Sequence, residues 1–133
     1  NKPTMVSGTG DQFEQTQLSL EGYNMVLAYP KIHISTQEAY SEIQPQIPKT
    51  SISDLISQPI SDWKSMLEND FEYSLLNNYP EIKSIKELMY HHGAVYASMT
   101  GSGSAVYGIF ENKVAGNLLD NLSRKYVTWS HQL

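Results

Sequence analysis

The chain has 133 residues, a formal net charge of -5 and no cysteine, so it is sized for one domain with a hydrophobic core and cannot form disulfides or thiolate metal sites. Fourteen acidic residues outnumber nine basic ones, and this balance argues against a surface that collects nucleic-acid phosphates. No apolar run approaches the roughly 20 residues of a membrane helix, and we expect a cytoplasmic protein with neither a nucleic-acid nor a membrane partner.

The amino end predicts a strand that begins almost at once. A strand-like stretch runs from Pro3 to Val6, and Gly8 and Gly10 follow it at positions that suit a hairpin turn. The first residue is Asn1 rather than methionine, and the segment lacks the basic and apolar regions of a signal peptide. We therefore expect the chain to be part of a longer protein.

A buried strand and the start of a helix come next. The apolar, aromatic-rich run 23–29 stops at Pro30 and is typical of a buried strand. Ser35 and Glu38 form the pattern of a capping box, in which the Ser hydroxyl accepts from the first turn and the Glu side chain reaches back to the N–H of Ser35. The helix should continue to about Ile43, and residues 44–49, rich in Pro and Gln, predict a surface loop.

Helices dominate the middle of the chain. The pattern predicts short helices over residues 51–58, 61–68 and 70–77, the last of them capped by Asn69. Pro80 predicts the first turn of a longer helix, whose apolar residues recur at helical spacing. Gly93 stands where a left-handed C-cap is needed.

The last third of the chain predicts strand, loop, strand, helix and strand. Residues 94–99 and 105–110 are the first two strands, and an amphipathic helix around Val114 to Leu122 precedes a closing strand over 126–129. The complete order, β-α, a helical insertion, then β-β-α-β, predicts an α+β fold of the ferredoxin-like, split β-α-β type. That fold is a four-stranded antiparallel sheet with helices on one face, and it decides no function by itself.

The most specific string is a glycine loop, whose residues are Thr100, Gly101, Ser102, Gly103 and Ser104. It is not a Walker loop, because no Lys follows the glycines, and it is not a dinucleotide fingerprint, because Val106 stands at the third glycine position. Two interpretations remain, a hairpin turn that needs glycine or a loop that binds an anion through N–H groups and hydroxyls. No Lys or Arg lies within residues 91–112, so positive charge would have to come from elsewhere.

The other polar candidates have structural explanations. Asp70, next to Asn69, suits a helix cap better than a catalytic base. His91 and His92 suit a helix C terminus, and because the sequence nominates no third ligand, no metal site is predicted. His33 lies in a predicted extended segment and is expected to be structural.

Residues 93–108, which surround the glycine loop, resemble the third, carboxy-terminal motif of the GHMP kinases. Residues 6–11, 30–40 and 69–72 resemble, in order and spacing, the members of that family that act on 4-diphosphocytidyl-2-C-methyl-D-erythritol (CDP-methylerythritol). The resemblance extends over nearly the whole chain. Its most specific part is the Ser-Thr-x-x-x-Tyr element, which is formed by Ser35, Thr36 and Tyr40.

The resemblance implies that residues 1–133 are the carboxy-terminal, substrate-side domain of a two-domain kinase of isoprenoid synthesis. Such a kinase transfers the γ-phosphate of ATP, with Mg²⁺, to the 2-hydroxyl of CDP-methylerythritol. Thr36 and Tyr40 match the positions that contact the cytidine end, the Tyr position being an aromatic that stacks on the base. Residues i and i+4 share one helix face, so the hydroxyl and the ring would point the same way.

The glycine loop, by the same resemblance, would support the phosphate-binding loop of the family's amino-terminal domain. That domain also carries the catalytic Lys and Asp, and its characteristic strings do not occur in this chain. We therefore expect neither a catalytic residue nor a bound cofactor in the chain alone, and no activity from it.

Three alternatives stay open at this point. Another GHMP kinase, acting on homoserine, mevalonate or a sugar, would share the glycine loop but would have no reason to carry Thr36 with Tyr40. A non-catalytic, ferredoxin-like ligand-binding module would need no amino-terminal kinase domain. The third alternative concerns Tyr40 alone, which would be a half-buried aromatic of the core instead of a binding residue.

Overall fold

A computed structural model describes residues 3–41, 43 and 47–133. The strands are β1 (Thr4–Ser7), β2 (Gln12–Gln15), β3 (Asn24–Tyr29), β4 (Tyr96–Met99), β5 (Val106–Phe110) and β6 (Val127–Gln132). The helices are α1 (Thr36–Ser41), α2 (Ile52–Ile56), α3 (Ile60–Met66), α4 (Glu72–Asn78), α5 (Pro80–His91) and α6 (Gly116–Ser123). In these parts of the chain, no helix combines the length and the apolar character that crossing a membrane requires.

The predicted fold is confirmed by the order of the strands. Strands β3 to β6 form a four-stranded sheet in the order β4-β5-β3-β6, and every neighbouring pair is antiparallel. The connections β3 to β4 and β5 to β6 each pass through helices and skip one strand, which is the split β-α-β arrangement. Strands β1 and β2 form a separate hairpin, whose turn contains Gly8 and Gly10 with φ of 66° and 89°.

Both ends of α5 agree with the sequence. Pro80 is the first residue of α5, where its missing N–H leaves no helical hydrogen bond unmade. Gly93 follows the end of this helix with a φ of 89°, the left-handed conformation that glycine adopts at low cost. Both predictions are confirmed.

The predicted capping box at α1 is half right. Ser35 Oγ accepts from the N–H of Glu38 at 3.1 Å, as expected. The Glu38 carboxylate does not complete the box, because it accepts a hydrogen bond of 2.6 Å from the Tyr79 hydroxyl. Helix α1 ends at Ser41, before the expected end near Ile43, and residues 44–46 of the predicted surface loop lie outside the described residues.

The cap predicted for the helix over 70–77 is wrong in its position. Helix α4 begins at Glu72, and Phe71 stands at its N-cap without a side-chain bond to the helix. Asn69 instead closes the turn in front of the helix, because its Oδ1 accepts from the N–H of Phe71 at 3.1 Å. The Asn69 Nδ2 group donates to the carbonyls of Met99 and Gly101, at the glycine loop.

The main core lies between one face of the sheet and helices α4, α5 and α6. Alternate strand residues such as Val26, Ala28 and Val106 point to this face and are fully buried. The helices contribute residues of matching size at helical spacing, among them Ile85 and Met89 of α5. This packing follows the predicted arrangement.

The opposite face of the sheet carries a helix of the insertion, which is an addition to the predicted split β-α-β pattern with its helices on one face. Helix α3 of the insertion packs against β4 and β5 through Ile60 and Trp63, which contact Tyr96 and Ile109. The indole of Trp63 meets the ring of Tyr96 edge-on, with centroids 5.6 Å apart. Tyr96 of β4 and Tyr107 of β5 lie on this face and provide large apolar surfaces for the insertion to cover.

Trp63→Ala should therefore detach the insertion from the sheet. Trp63 is only 4% exposed, and its indole N–H donates to the carbonyl of Gln58 at 3.2 Å. We expect the free energy of unfolding of the chain to fall by about 3 to 5 kcal/mol, the usual cost of truncating a buried aromatic. Urea unfolding followed by far-ultraviolet circular dichroism measures this without depending on the deleted fluorophore.

The matched control is Tyr73→Ala, because Tyr73 lies on α4 and its side chain is 88% exposed. It should change the unfolding free energy by less than about 0.5 kcal/mol. Equal effects of the two substitutions would contradict the anchoring role of Trp63.

Candidate functional site

The pairing of β3 with β5 brings two predicted site segments to one end of the sheet. Ala28 lies opposite Val106, so the chain leaves β3 where β5 begins. The segment before α1 and the glycine loop between β4 and β5 therefore meet. The Ser104 hydroxyl donates to the carbonyl of Ile32 at 2.6 Å and joins the two segments directly.

The glycine loop is a tight turn with its own hydrogen bonds. Thr100 N–H donates to the carbonyl of Ala105 at 2.8 Å, and Gly103 N–H donates to the carbonyl of Thr100 at the same distance. Gly101 and Gly103 have φ of 48° and 95°. The positive φ expected for this loop is present at both positions, where an L side chain would be strained.

Three backbone donors of the loop are not used by the described part of the chain. The N–H groups of Gly101, Ser102 and Ser104 make no hydrogen bond with residues 3–41, 43 or 47–133. Backbone N–H groups that converge in a glycine turn are suited to bind an anion or the carbonyls of a neighbouring loop. The hairpin interpretation and the binding interpretation are thus compatible in this loop.

Helix α1 presents the two residues that the sequence singled out for a substrate base. Thr36 is exposed at the first position of the helix, and Tyr40 lies one turn later with 62% of its surface exposed. The Tyr40 ring meets the ring of Phe71 edge-on, with centroids 5.0 Å apart. The alternative of Tyr40 as a half-buried core aromatic is wrong, because most of the ring is accessible.

A groove lies beside the glycine loop and holds Phe71 in its wall. Its volume is about 540 Å³, in the range of small-molecule sites. The residues that line it are Leu67, Glu68, Asn69, Asp70, Phe71, Tyr96, Ser98, Met99, Thr100, Gly101 and Tyr107. Through the contact between Phe71 and Tyr40, the groove and the exposed face of α1 are neighbours.

Two tyrosines of the groove were not singled out from the sequence. Tyr96 and Tyr107 stand on adjacent strands with ring centroids 6.0 Å apart. Burial raises the pKa of Tyr96 and of Tyr107, so both stay protonated near neutral pH and can donate but not act as bases. The Tyr96 hydroxyl donates to the carbonyl of Leu67 at 3.1 Å. No spacing in the sequence pairs them, because each stands on a different strand; the pairing of β4 with β5 brings them together.

The charge of the groove is negative. Glu68 and Asp70 contribute carboxylates, and its lining residues include no Lys, Arg or His. A phosphate bound there would need positive charge from outside the groove, as the sequence had indicated. No three His, Asp or Glu side chains converge as metal ligands in the described ranges.

The histidines lie apart from this site. His91 is the last residue of α5, and the ring of His92 packs against it edge-on at 5.4 Å between centroids. The His92 Nδ1 lies 2.9 Å from the carbonyl of Leu88, which is a bond to the end of the helix. His33 is exposed in the segment before α1.

The amino-acid sequence matches a known protein family and several named relatives. The sequence model described as GHMP kinases C terminal matches residues 51–128. A protein of Bacteroides fragilis named 4-diphosphocytidyl-2-C-methyl-D-erythritol kinase is 47% identical over 110 residues, which are 83% of this chain and 40% of that protein. The protein of the same name from Parabacteroides distasonis is 47% identical over 111 residues, with shares of 84% and 41%. The chain thus spans about 40% of the length of these relatives.

Two solved structures share the fold. A crystal structure of 4-(cytidine 5'-diphospho)-2C-methyl-D-erythritol kinase superimposes with a TM-score of 0.73 at 19% identity, over 96% of this chain and 48% of that one. Homoserine kinase from Cytophaga hutchinsonii superimposes with a TM-score of 0.56 at 13% identity, over 90% and 44%. At these identities the likeness concerns the fold, and it does not separate one substrate from another.

Substitution of the loop glycines should separate backbone strain from steric contact. A Cβ at Gly103 would lie 2.9 Å from Ile34 Cδ1 and from Met99 Sδ, whereas a Cβ at Gly101 would meet nothing within 4 Å. We expect Gly101→Ala to lower the unfolding free energy by about 1 to 2 kcal/mol through strain alone. Gly103→Ala should cost more, and chemical denaturation of each variant measures the difference.

Gly116→Ala is the control for these substitutions. Gly116 begins α6 outside the left-handed region, with open space around its Cβ position, so its replacement should cost nothing. A Gly103→Ala variant as stable as the control would contradict the expected steric conflict of the new Cβ with Ile34 and Met99.

Proposed function

The chain belongs to the GHMP kinases as their carboxy-terminal domain, and on that premise we propose that it is the substrate-side half of a kinase that phosphorylates CDP-methylerythritol. The reaction is transfer of the γ-phosphate of ATP to the 2-hydroxyl of that substrate. Support comes from the names of the relatives at 47% identity and from the exposed pair on α1. We place this reaction in the cytoplasm, where ATP is available.

A second domain is part of the proposal. The relatives extend well beyond the matched region, since the chain accounts for about 40% of their length. We assign to the remainder of the complete protein the binding of ATP and the catalytic groups. The 133 residues would then form one wall of a cleft between the two domains, with the end of the sheet that carries the glycine loop facing the other domain.

The accessibility of Tyr40 is the observation that carries the proposal. A ring that is 62% exposed gains little from its own fold, and its edge contact with Phe71 holds it in place for a second ring. A pyrimidine stacked on the free face of Tyr40 would gain about 1 to 3 kcal/mol. Thr36, one turn earlier on the same helix face, would place its hydroxyl beside the base.

The glycine loop would complete the site from the other side of the groove. Its N–H groups at Gly101, Ser102 and Ser104 are available within the described residues. In the proposed assembly they donate to the phosphate-binding loop of the amino-terminal domain and so fix that loop against the substrate. The hydrogen bond from the Ser104 hydroxyl to the carbonyl of Ile32 ties this support to the segment that leads into α1.

ATP and Mg²⁺ belong to the complete protein in this proposal. The groove of this chain is lined by carboxylates without a cation, and no three-residue metal cluster occurs in the described ranges, so these residues do not fit a Mg²⁺-bound triphosphate by themselves. Because phosphoryl transfer depends on positioning and charge stabilisation, the chain alone should be inactive.

A second candidate is a kinase of the same family with a different substrate. Homoserine kinase shares the fold at a TM-score of 0.56, so the fold by itself is compatible with either substrate. Such an enzyme would make no use of an exposed aromatic on α1. Competition between CDP-methylerythritol and homoserine in the complete protein therefore separates the two candidates.

Tyr40→Ala in the complete protein should raise the KM for CDP-methylerythritol while leaving the KM for ATP within about twofold. Loss of a stack worth about 1 to 3 kcal/mol corresponds to an increase of roughly 5- to 150-fold in the KM for the cytidine substrate. Steady-state kinetics with each substrate varied in turn measures both constants.

Two further variants sharpen this test. Tyr40→Phe keeps the ring and should retain most of the affinity. Tyr73→Ala removes an exposed tyrosine of α4 and should alter neither KM. An unchanged KM for CDP-methylerythritol in Tyr40→Ala would refute the proposed role of the ring.

A further inference from the structure

The outer edge of β4 is covered by side chains instead of by another strand. Because β4 is the first strand in the order of the sheet, alternate backbone groups on it have no neighbouring strand to pair with. At Ala97, the Tyr90 hydroxyl takes the place of a neighbouring strand. It accepts a hydrogen bond from the Ala97 N–H and donates one to the Ala97 carbonyl, each at 3.1 Å. The next residue with outward groups is Met99, the last before the glycine loop.

Met99 is held on both of its backbone groups by the start of α4. Its N–H donates to Glu72 Oε1 at 2.6 Å, and its carbonyl accepts from Asn69 Nδ2 at 2.9 Å. The same Asn69 amide donates to the carbonyl of Gly101 at 2.8 Å. The two N–H donors of one planar amide thus bridge the carbonyls on either side of Thr100.

Both residues that hold the loop are themselves fixed. Asn69 Oδ1 accepts from Phe71 N–H at 3.1 Å. Glu72 is 8% exposed, and its carboxylate also accepts from the Ser98 hydroxyl at 3.1 Å and pairs with the Lys86 ammonium. Since desolvation offsets most of the attraction in a buried ion pair, a gain in stability alone does not explain this placement.

We propose that Asn69 and Glu72, together termed the loop clamp, are positioning residues that hold the glycine loop in the conformation needed for phosphoryl transfer. This inference rests on the proposed function. The clamp acts through the backbone on both sides of Thr100 and leaves Tyr40 and its face of α1 untouched. Because a displacement of about 1 Å can cost on the order of 100-fold in rate, the loss should appear in turnover and not in the binding of the cytidine end.

Asn69→Asp removes the hydrogen bonds of Asn69 to the loop carbonyls but keeps its hydrogen bond to Phe71 N–H, which closes the turn before α4. The carboxylate keeps an acceptor for Phe71 N–H, but one oxygen without a proton replaces the NH2 group that supplied both donors, and this oxygen faces two carbonyls. In the complete protein we expect kcat to fall at least about 10-fold, with the KM for CDP-methylerythritol within about twofold of the original. Amide hydrogen exchange of Thr100 and Gly103, the residues of 100–104 whose N–H groups are hydrogen-bonded within the loop, should accelerate at least about 10-fold, while exchange in α5 stays unchanged.

The matched control is Asn77→Asp, which makes the same chemical change on an exposed position of α4. It should alter neither turnover nor exchange in the loop. Glu72→Gln retains an oxygen for Met99 N–H but loses the charge that pairs with Lys86, and it should show the same effects at smaller size. If Asn69→Asp does not fold, Asn69→Ser serves instead, because its hydroxyl can close the turn without setting a charge against the carbonyls.

The outcomes distinguish the clamp from the proposed function. Slower turnover together with faster exchange at Thr100 and Gly103 supports the clamp. Unchanged loop exchange in Asn69→Asp or Asn69→Ser overturns it, and faster exchange with normal kcat overturns its part in catalysis. A complete protein without kinase activity overturns the proposed function, and the exchange measurement then still decides the clamp, because it needs no substrate.

Discussion

The register of β3 against β5 is the constraint on which the rest of the molecule depends. Val26 and Ala28 reach the main core only if Ala28 lies opposite Val106, because a shift of one residue would turn both side chains to the other face. The same register sets where the chain leaves β3 and where it enters β5. Burial of apolar side chains therefore determines that the segment before α1 meets the glycine loop, although neither segment contributes much to the core.

The free edge of the sheet, strand β4, also links the fold to the site. An unpaired edge strand exposes backbone groups that invite association with other chains, and β4 avoids this with three polar side chains from α5 and the start of α4. Two of them, Asn69 and Glu72, also hold the glycine loop. One set of hydrogen bonds thus satisfies the edge of the sheet and holds the glycine loop beside it.

The fold is shared with kinases of different substrates, and the distinction must lie in side chains at the end of the sheet. Homoserine kinase superimposes on this chain at 13% identity, which shows how little of the sequence the architecture requires. At this end, the chain has an exposed Tyr40 in contact with Phe71, an acidic groove, and a loop with unused N–H groups within the described residues. In the proposed assembly, a second domain would complete this surface.

Local patterns in the sequence determined most of the elements and the fold class, because helical spacing, period-two alternation, Pro80 and Gly93 act over a few residues. The family was indicated by the resemblance of the segment around the glycine loop to a known motif. Local patterns also determined the positive φ at Gly101 and the shared helix face of Thr36 and Tyr40. Only the tertiary structure decided that α3 covers the second face of the sheet, that Glu38 bonds to Tyr79, and that Asn69 bridges two carbonyls of the loop. The reason is physical: Asn69 and Met99 are 30 residues apart, and a contact between distant residues depends on how the elements pack, which no local pattern encodes.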